Sequence, residues 1–367
     1  MRKSVASSAG ARDASFITGA ELVVDGGDSL TQPIQEALMS RTIKFAVAGG
    51  PEVLEFVDAE VAAPGPKEVR IKVKAIGINR AEAMWRVDDY IEPVKFPAGL
   101  GYEAAGVVDA VGKDVSGIAV GDDVNVIPSF SMNDYATYGE VILVPDYAVV
   151  RQPKSLSFIE AASVWMMFVT AYGALIEDAK VTKGDFVLIP AASSSVGLAA
   201  IQIANYAGAT PIALTRTSAK KKQLLEAGAV YVIATEEVDL VGEVMRITNG
   251  QGARVAFDPV GGPAFPKLIS ALAFGGIVYI YGLLGTGVTP LPVLEMIAKA
   301  PTIKAHNIWL TSGDETRRKA AIEFVVKGLE TGALKPVIDR TFAFDEMADV
   351  HRYLERSGQF GKIVVTV

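Results

Sequence analysis

Between Asp185 and Gly282, short apolar runs alternate with stretches of helical spacing, and few folds accept that pattern. The strand-like runs are "DFVLIPA", "TPIALT", "YVIA", "VAFDPV" and "GIVYIYG". Helical stretches lie between them, at about Val196 to Tyr206, in "SAKKKQLLEAGA", near "DLVGEVMRITNG" and near "FPKLISALA". Such alternation predicts βαβ units and a parallel sheet. "DFVLIPA" is almost continuously apolar, as a strand covered on both faces must be. "SFIEAASVWMMFVTAYGALIEDA", just before it, also has helical spacing.

The region from about 41 to 160 has a different texture. "TIKFAVAG", "LEFVDAEV", "EVRIKVKAIGIN", "EAAGVVDAVG", "VGDDVNVIP" and "YGEVILVP" are Val/Ile-rich runs punctuated by Pro and Gly. They predict an antiparallel, barrel-like domain. The last residues, "TFAFDEMADVHRYLERSGQFGKIVVTV", read as one helix between two strands. A chain of 367 residues has room for about two domains of roughly 100–200 residues each. There are no cysteines, so disulfides, thiolate zinc sites and cysteine nucleophiles are excluded. A net charge of −7 argues against a nucleic-acid surface. No apolar run approaches the roughly 20 residues of a membrane span. The N-terminus carries no apolar signal core, so a cytoplasmic protein with no membrane partner is expected.

The turn after the first parallel strand, "PAASSSVG", is where such folds hold a dinucleotide. The following helix aims its free N–H groups and its dipole at the pyrophosphate. Glycines normally tighten the turn, admit the phosphates and let helix and strand pack. Here Gly197 alone remains, and serines fill the other places. Serine lacks glycine's freedom at positive φ, but it is small and a good helix cap. A hydroxyl at Ser194 or Ser195 can also donate to a phosphate. An ordinary capped helix is the plain alternative. The next strand ends in "TRTSAKKK", with Thr215, Arg216, Thr217 and Lys220 and no carboxylate. Arg and Lys suit an adenosine 2′-phosphate; a solvated basic helix start is the other reading. "FDPVGG" and "YIYGLLG" also end strands in glycine turns, which adds Asp258, Val260, Gly261, Tyr281 and Gly282 to the expected cofactor crevice.

Residues from about 41 to 367 resemble the medium-chain dehydrogenase/reductase superfamily, in its zinc-independent quinone oxidoreductase branch. "PAGLGYEAAGVVDAVGKDVSGIAVGDDV" carries the resemblance most specifically. "TAYGAL", "LEAGAVYVI", "FDPVGG" and "GQFGKIVV" add to it, the first and last bringing Thr170 and Lys362 to the cofactor site. The resemblance implies a GroES-like β domain at 41–163, completed by about 310–367, and a Rossmann NADPH-binding domain at 164–309. It implies an active site between them and a homodimer. Zinc-dependent relatives hold their metal with Cys, His and Cys; this chain has Asn79, Tyr102 and Met166 there. A metal-free site follows, with Asn79 and Tyr90 beside the nicotinamide and substrate oxygen. Tyr90 as a loop residue packing on the barrel is the alternative. Met84 stands where the branch commonly has a second tyrosine.

The expected activity is hydride transfer from NADPH to a quinone or α,β-unsaturated carbonyl. Enoyl-thioester reduction, secondary alcohol oxidation and non-catalytic NADPH binding remain open. Residues 1–40 stand apart. "ASFITGAELVVDGG" resembles the closing segment of a short-chain dehydrogenase. Residues 1–38 are therefore expected to lie outside the catalytic fold, with Met39 near its start.

Overall fold

The computed structural model describes residues 37–367. Among these residues the strands form a six-stranded sheet, a seven-stranded sheet and a two-stranded ribbon. The strand expected within residues 15–27 lies outside the described residues.

The six-stranded sheet is wholly parallel. Its order is Tyr231–Ala234, Thr210–Thr215, Phe186–Ile189, Ala253–Asp258, Leu272–Ile280, Thr302–Ala305. The chain enters at Phe186–Ile189, winds outward on one side, then returns beside its starting strand and winds outward on the other. Where the direction reverses, the connections diverge and leave a crevice at the carboxyl ends of Phe186–Ile189 and Ala253–Asp258. Val187, Leu188 and Ile189 are fully buried, as expected of a strand covered on both faces. The strand Thr302–Ala305 and the helix Val293–Lys299 before it were not anticipated from the sequence.

The seven-stranded sheet is organised by the long strand Glu68–Ile78. It pairs antiparallel with Glu103–Val111, Val141–Pro145 and Lys362–Thr366. Lys362–Thr366 also runs parallel to Ile338–Ala343. The end of the chain thus returns to complete the first domain. The ribbon pairs Leu38–Lys44 with Glu55–Val61, in the register Leu38 opposite Val61. Leu38 to Ser40 therefore belong to the fold, so the boundary expected at residue 40 moves toward the N-terminus.

One expectation about apolar segments is corrected. The 21-residue run Phe158–Asp178 is helical, and long and apolar enough to cross a membrane, yet 83% of its most apolar window is buried inside the protein. Ser157 starts it with a capping box: its hydroxyl accepts from the Glu160 N–H and the Glu160 carboxylate accepts from the Ser157 N–H. Trp165, Phe168 and Val169 have no exposed surface. This is the central helix of the core, and it joins the two sheets.

Candidate active site

A cavity of about 250 Å³ opens at the crevice of the parallel sheet. The β domain contributes Ile78, Asn79, Arg80, Met84 and Tyr90 to its wall. The central helix contributes Met166 and Thr170; the parallel sheet contributes Ser193 to Val196, Tyr281, Gly282 and Trp309. Gln359 and Gly361 close it from the C-terminal segment. Eight of the expected site residues meet here: Asn79, Tyr90, Thr170, Ser194, Ser195, Val196, Tyr281 and Gly282.

The serine turn precedes a helix of 12 residues, Ser195–Tyr206. Ser194 caps it, its hydroxyl oxygen accepting from the Gly197 N–H at 3.1 Å. That oxygen is used as an acceptor, so the hydroxyl hydrogen stays free to donate. Leu198 N–H bonds the Ser194 carbonyl. Ser195 and Val196, in the first turn of this helix, line the cavity, and Ser194 forms an isolated bridge to Gly361 of the C-terminal segment. A Cβ on Gly197 would lie 2.7 Å from the Ala191 carbonyl oxygen, so glycine is needed where helix and strand meet. Tightness elsewhere is borne by Ala191, whose φ is +47°. The Tyr281 ring stacks on Phe257 with centroids 4.0 Å apart, and its buried hydroxyl has no partner among the described residues. A helix N-terminus with the Tyr281 hydroxyl beside it suits a dinucleotide.

Other expected cofactor residues take different positions. Thr215, Arg216 and Thr217 lie at the end of Thr210–Thr215, with Arg216 exposed. Lys220 turns inward instead. Its ammonium donates to Ser193 Oγ (3.2 Å) and to the carbonyls of Gly358 (2.8 Å) and Gln359 (2.9 Å). Burial lowers its pKa. A carboxylate the sequence did not announce stands close by: Glu237 accepts from the Ser218 N–H at 2.8 Å and from its hydroxyl at 3.2 Å. Asp258 is fully buried and accepts from the N–H groups of Val260 and Gly261. Asp258, Val260 and Gly261 therefore shape the turn from behind the cavity wall, with Pro259 on its surface.

The largest departure concerns Asn79 and Lys362. Lys362 was expected at the cofactor; its ammonium is instead buried in the β domain against Glu103 and the Asn79 Oδ1 (2.5 Å for the latter). Asn79 Nδ2 donates to Glu82 Oε1 at 3.1 Å and to the Gly77 carbonyl at 3.3 Å. The Lys362 ammonium only donates, so it must face the amide oxygen, which fixes the amide's orientation. Both of its N–H bonds are then used. Asn79 lines the cavity with its amide engaged by Glu82, the Gly77 carbonyl and Lys362. Burial raises the Glu82 carboxyl to about 7, against the opposing pull of Lys362 and the Asn79 hydrogen bond. Glu103 also accepts from the Met166 N–H at 2.7 Å, which ties the cluster to the central helix.

Tyr90 does face the cavity, and burial raises its phenol to about 12. It is a proton-bearing donor at neutral pH. Arg80, beside Asn79 in the sequence, was missed. It lines the cavity, its Nη2 donating to the Leu354 carbonyl (2.9 Å) and Ser357 Oγ (2.8 Å). The signal was there in "GINRAE", a cation directly after a strand end.

Both histidines are core residues. His306 Nε2–H donates to the Thr170 carbonyl at 2.9 Å. His351 accepts at Nδ1 from the Arg86 guanidinium at 2.8 Å, and burial with that cation depresses its pKa to about 3. Among the described residues no group of three or more His, Asp or Glu side chains is placed to hold a metal ion. Met166 lies on the cavity wall and Tyr102 lies behind it, 1% exposed.

A β domain closed over the crevice of a doubly wound sheet, with a helix N-terminus facing the gap, is the build of a nicotinamide-dependent oxidoreductase. The comparisons with known proteins agree. The family described as alcohol dehydrogenase GroES-like domain matches residues 65–154, and the zinc-binding dehydrogenase family matches residues 195–327. The quinone oxidoreductase of Homo sapiens is 31% identical over 330 residues, 89% of this chain and 98% of that protein. The crystal structure of Escherichia coli quinone oxidoreductase complexed with NADPH superposes with a TM-score of 0.81 at 28% identity, covering 89% of this chain and 100% of that one. A solved NAD-dependent alcohol dehydrogenase gives 0.81 at 32% identity, covering 89% and 99%. The chain belongs to the medium-chain dehydrogenase/reductase superfamily, in its quinone oxidoreductase-like branch.

Proposed function

We propose that this chain is a metal-independent, NADPH-dependent reductase of quinones or α,β-unsaturated carbonyl compounds. The observation that carries the reading is the pairing, across one small cavity, of the serine-turn helix N-terminus with the Tyr90 phenol. The three positions that hold zinc in metal-dependent relatives offer an amide, a phenol and a thioether, a poor donor set for zinc. An acceptor here must already be polarised. When bound, the nicotinamide supplies a hydride. The N-terminus of the helix Ser195–Tyr206 holds the pyrophosphate, and Arg216 meets the 2′-phosphate. Tyr90 donates to the oxygen on which negative charge develops. Met84, Met166 and Trp309 keep water from that oxygen.

Glu237 favours a second reading, NADH, because a carboxylate at the adenosine ribose suits a free 2′-hydroxyl. Titration of both cofactors against the wild type and Arg216→Ala separates the two. Under the first reading the variant binds NADPH about 10- to 100-fold more weakly, the loss of one charge-assisted contact of about 1.5–3 kcal/mol, and NADH binding is nearly unchanged. Equal losses, or tighter NADH binding in the wild type, overturn it. A panel of quinones, enals and enones tests the acceptor class.

The same reading places the protein in the cytoplasm, acting on small molecules as a homodimer. Val288, Leu294 and Ile297 are 82%, 79% and 73% exposed, and Thr302–Ala305 is an edge strand of the parallel sheet among the described residues. Exposed apolar side chains and an edge strand suit a second copy.

A further inference from the structure

Tyr102 carries a polar group that nothing so far uses. The residue is 1% exposed, and its hydroxyl is buried with no hydrogen-bond partner among the described residues. Buried hydroxyls are nearly always paired, so an orphan calls for an explanation. The ring is held firmly, with centroids 6.1 Å from Phe130, 6.5 Å from Trp309 and 6.4 Å from Tyr90. Tyr90 and Trp309 are both on the cavity wall, so Tyr102 stands directly behind it. Beside Tyr90, Met84 and Ile91 are apolar and offer no donor.

We propose that Tyr102 is a positioning residue whose hydroxyl hydrogen-bonds the Tyr90 oxygen as Tyr90 delivers its proton to the reduced substrate. This rests on reading Tyr90 as the group that faces the substrate oxygen. In the proton step the Tyr90 O–H bond breaks and an O–H bond forms on the substrate oxyanion; no electrons change hands. Charge moves to the Tyr90 oxygen, and the Tyr102 O–H, which stays intact, points its dipole there. Water entering as product leaves restores the Tyr90 proton.

The electrostatics of the pair have the right asymmetry. Burial raises both phenols. The two hydroxyls face each other without a formed hydrogen bond, and in that position Tyr102 acts to lower the pKa of Tyr90 while Tyr90 acts to raise that of Tyr102. Glu82 and Glu92 push both upward. Tyr90 is thus the member that gives up a proton and Tyr102 the member that keeps one. The hydrogen bond is not closed in this structure, because the Tyr102 hydroxyl lacks a partner of good geometry. It closes when charge appears on Tyr90, as catalytic hydrogen bonds often tighten only with substrate in place.

The test compares wild type, Tyr102→Phe and Tyr90→Phe. Tyr102→Phe removes only an unpaired hydroxyl, so its melting temperature is expected to equal or exceed that of wild type. Its kcat falls about tenfold, with KM within about twofold. The fall is larger for an enone, whose enolate oxygen is basic, than for a quinone whose reduced anion is a weak base. A second readout needs no turnover. 4-Nitrophenolate, an oxyanion followed by its absorbance, binds Tyr102→Phe about fivefold more weakly than wild type, because a donor whose own oxygen is hydrogen-bonded donates better. It binds Tyr90→Phe more weakly still. A uniform loss on every acceptor with a lowered melting temperature shows packing alone and overturns the proposal. Equal or absent phenolate binding by wild type and Tyr102→Phe overturns it as well. If phenolate binding follows the expected order while wild type reduces no acceptor, the functional reading fails and the tyrosine pair stands.

Discussion

Replacing Glu82 by Gln probes the buried cluster behind Asn79 through its effect on stability. Glu82 has no exposed surface, and burial raises its carboxyl from the ordinary 4.5 to about 7. A group with a raised folded-state pKa contributes stability that is fully present below its unfolded pKa and is lost as pH rises through the folded value. Glu82 therefore favours the folded state below about pH 4.5 and loses that contribution between there and about pH 7. At about 1.36 kcal/mol per pH unit, the interval comes to about 3 kcal/mol. His351 works in the opposite sense. Its pKa is depressed from 6.5 to about 3, so its contribution is present above 6.5 and is lost as pH falls toward 3. The two oppose each other between 4.5 and 6.5, and the wild-type curve hides both. Glu82→Gln removes one term. The stability of the variant relative to wild type should rise by about 3 kcal/mol from pH 4.5 to just above 7. Gln swaps one acceptor oxygen for an amide N–H facing Asn79, a cost independent of pH that leaves the slope unaltered. Urea unfolding midpoints and m-values across this range measure it. A flat difference curve, or one falling with pH, would refute the argument that burial controls Glu82.

Two further changes test the serine turn. In Gly197→Ala the new Cβ meets backbone atoms of Ala191 and Ala192 at 2.7 and 2.8 Å; we expect about 1–3 kcal/mol of destabilisation and at least a tenfold weaker cofactor by fluorescence titration, and unchanged affinity would show that the close approach is dispensable. Ser194→Ala removes the helix cap and should cost about 0.5–2 kcal/mol in a denaturant melt. Ser194→Gly should cost only a few tenths of a kcal/mol and keep cofactor affinity; a tenfold rise in Kd, about 1.4 kcal/mol, would show instead that the hydroxyl donates to phosphate.

The alternating runs made the parallel sheet and its crevice legible, since a strand such as Phe186–Ile189 must be apolar on both sides. Thr302–Ala305 escaped because four residues, two of them polar, give no periodicity to read. The segment Phe158–Asp178 read as helical, but its membrane-like length did not, because Glu160, Ser163 and Thr170 interrupt the apolar run. In the site, the turn was placed by local pattern and Tyr90 by the family resemblance, and both line the cavity. What Asn79 does was not. Its amide is consumed by Glu82, three residues away, and by Lys362, 283 residues away. Lys220 was read as a phosphate ligand from its local charge, yet its partners are carbonyls 138 and 139 positions further on. Local sequence supplies a side chain's chemistry; which neighbour uses it depends on contacts across the whole chain.

The return of Lys362–Thr366 to the strand Glu68–Ile78 also dictates an order of events during synthesis. The parallel sheet draws its six strands from one continuous stretch, so it can close while the chain is still being made. The β domain cannot. Until the last residues emerge, the edge that receives them is an unpaired row of N–H and C=O groups, and the side of the cluster that Lys362 fills lacks its cation. A ribosome stalled before Lys362–Thr366 is made would therefore hold a nascent protein with a completed parallel sheet and an adhesive, charge-unbalanced β domain. Truncation there should yield aggregation-prone chains rather than a weakened enzyme.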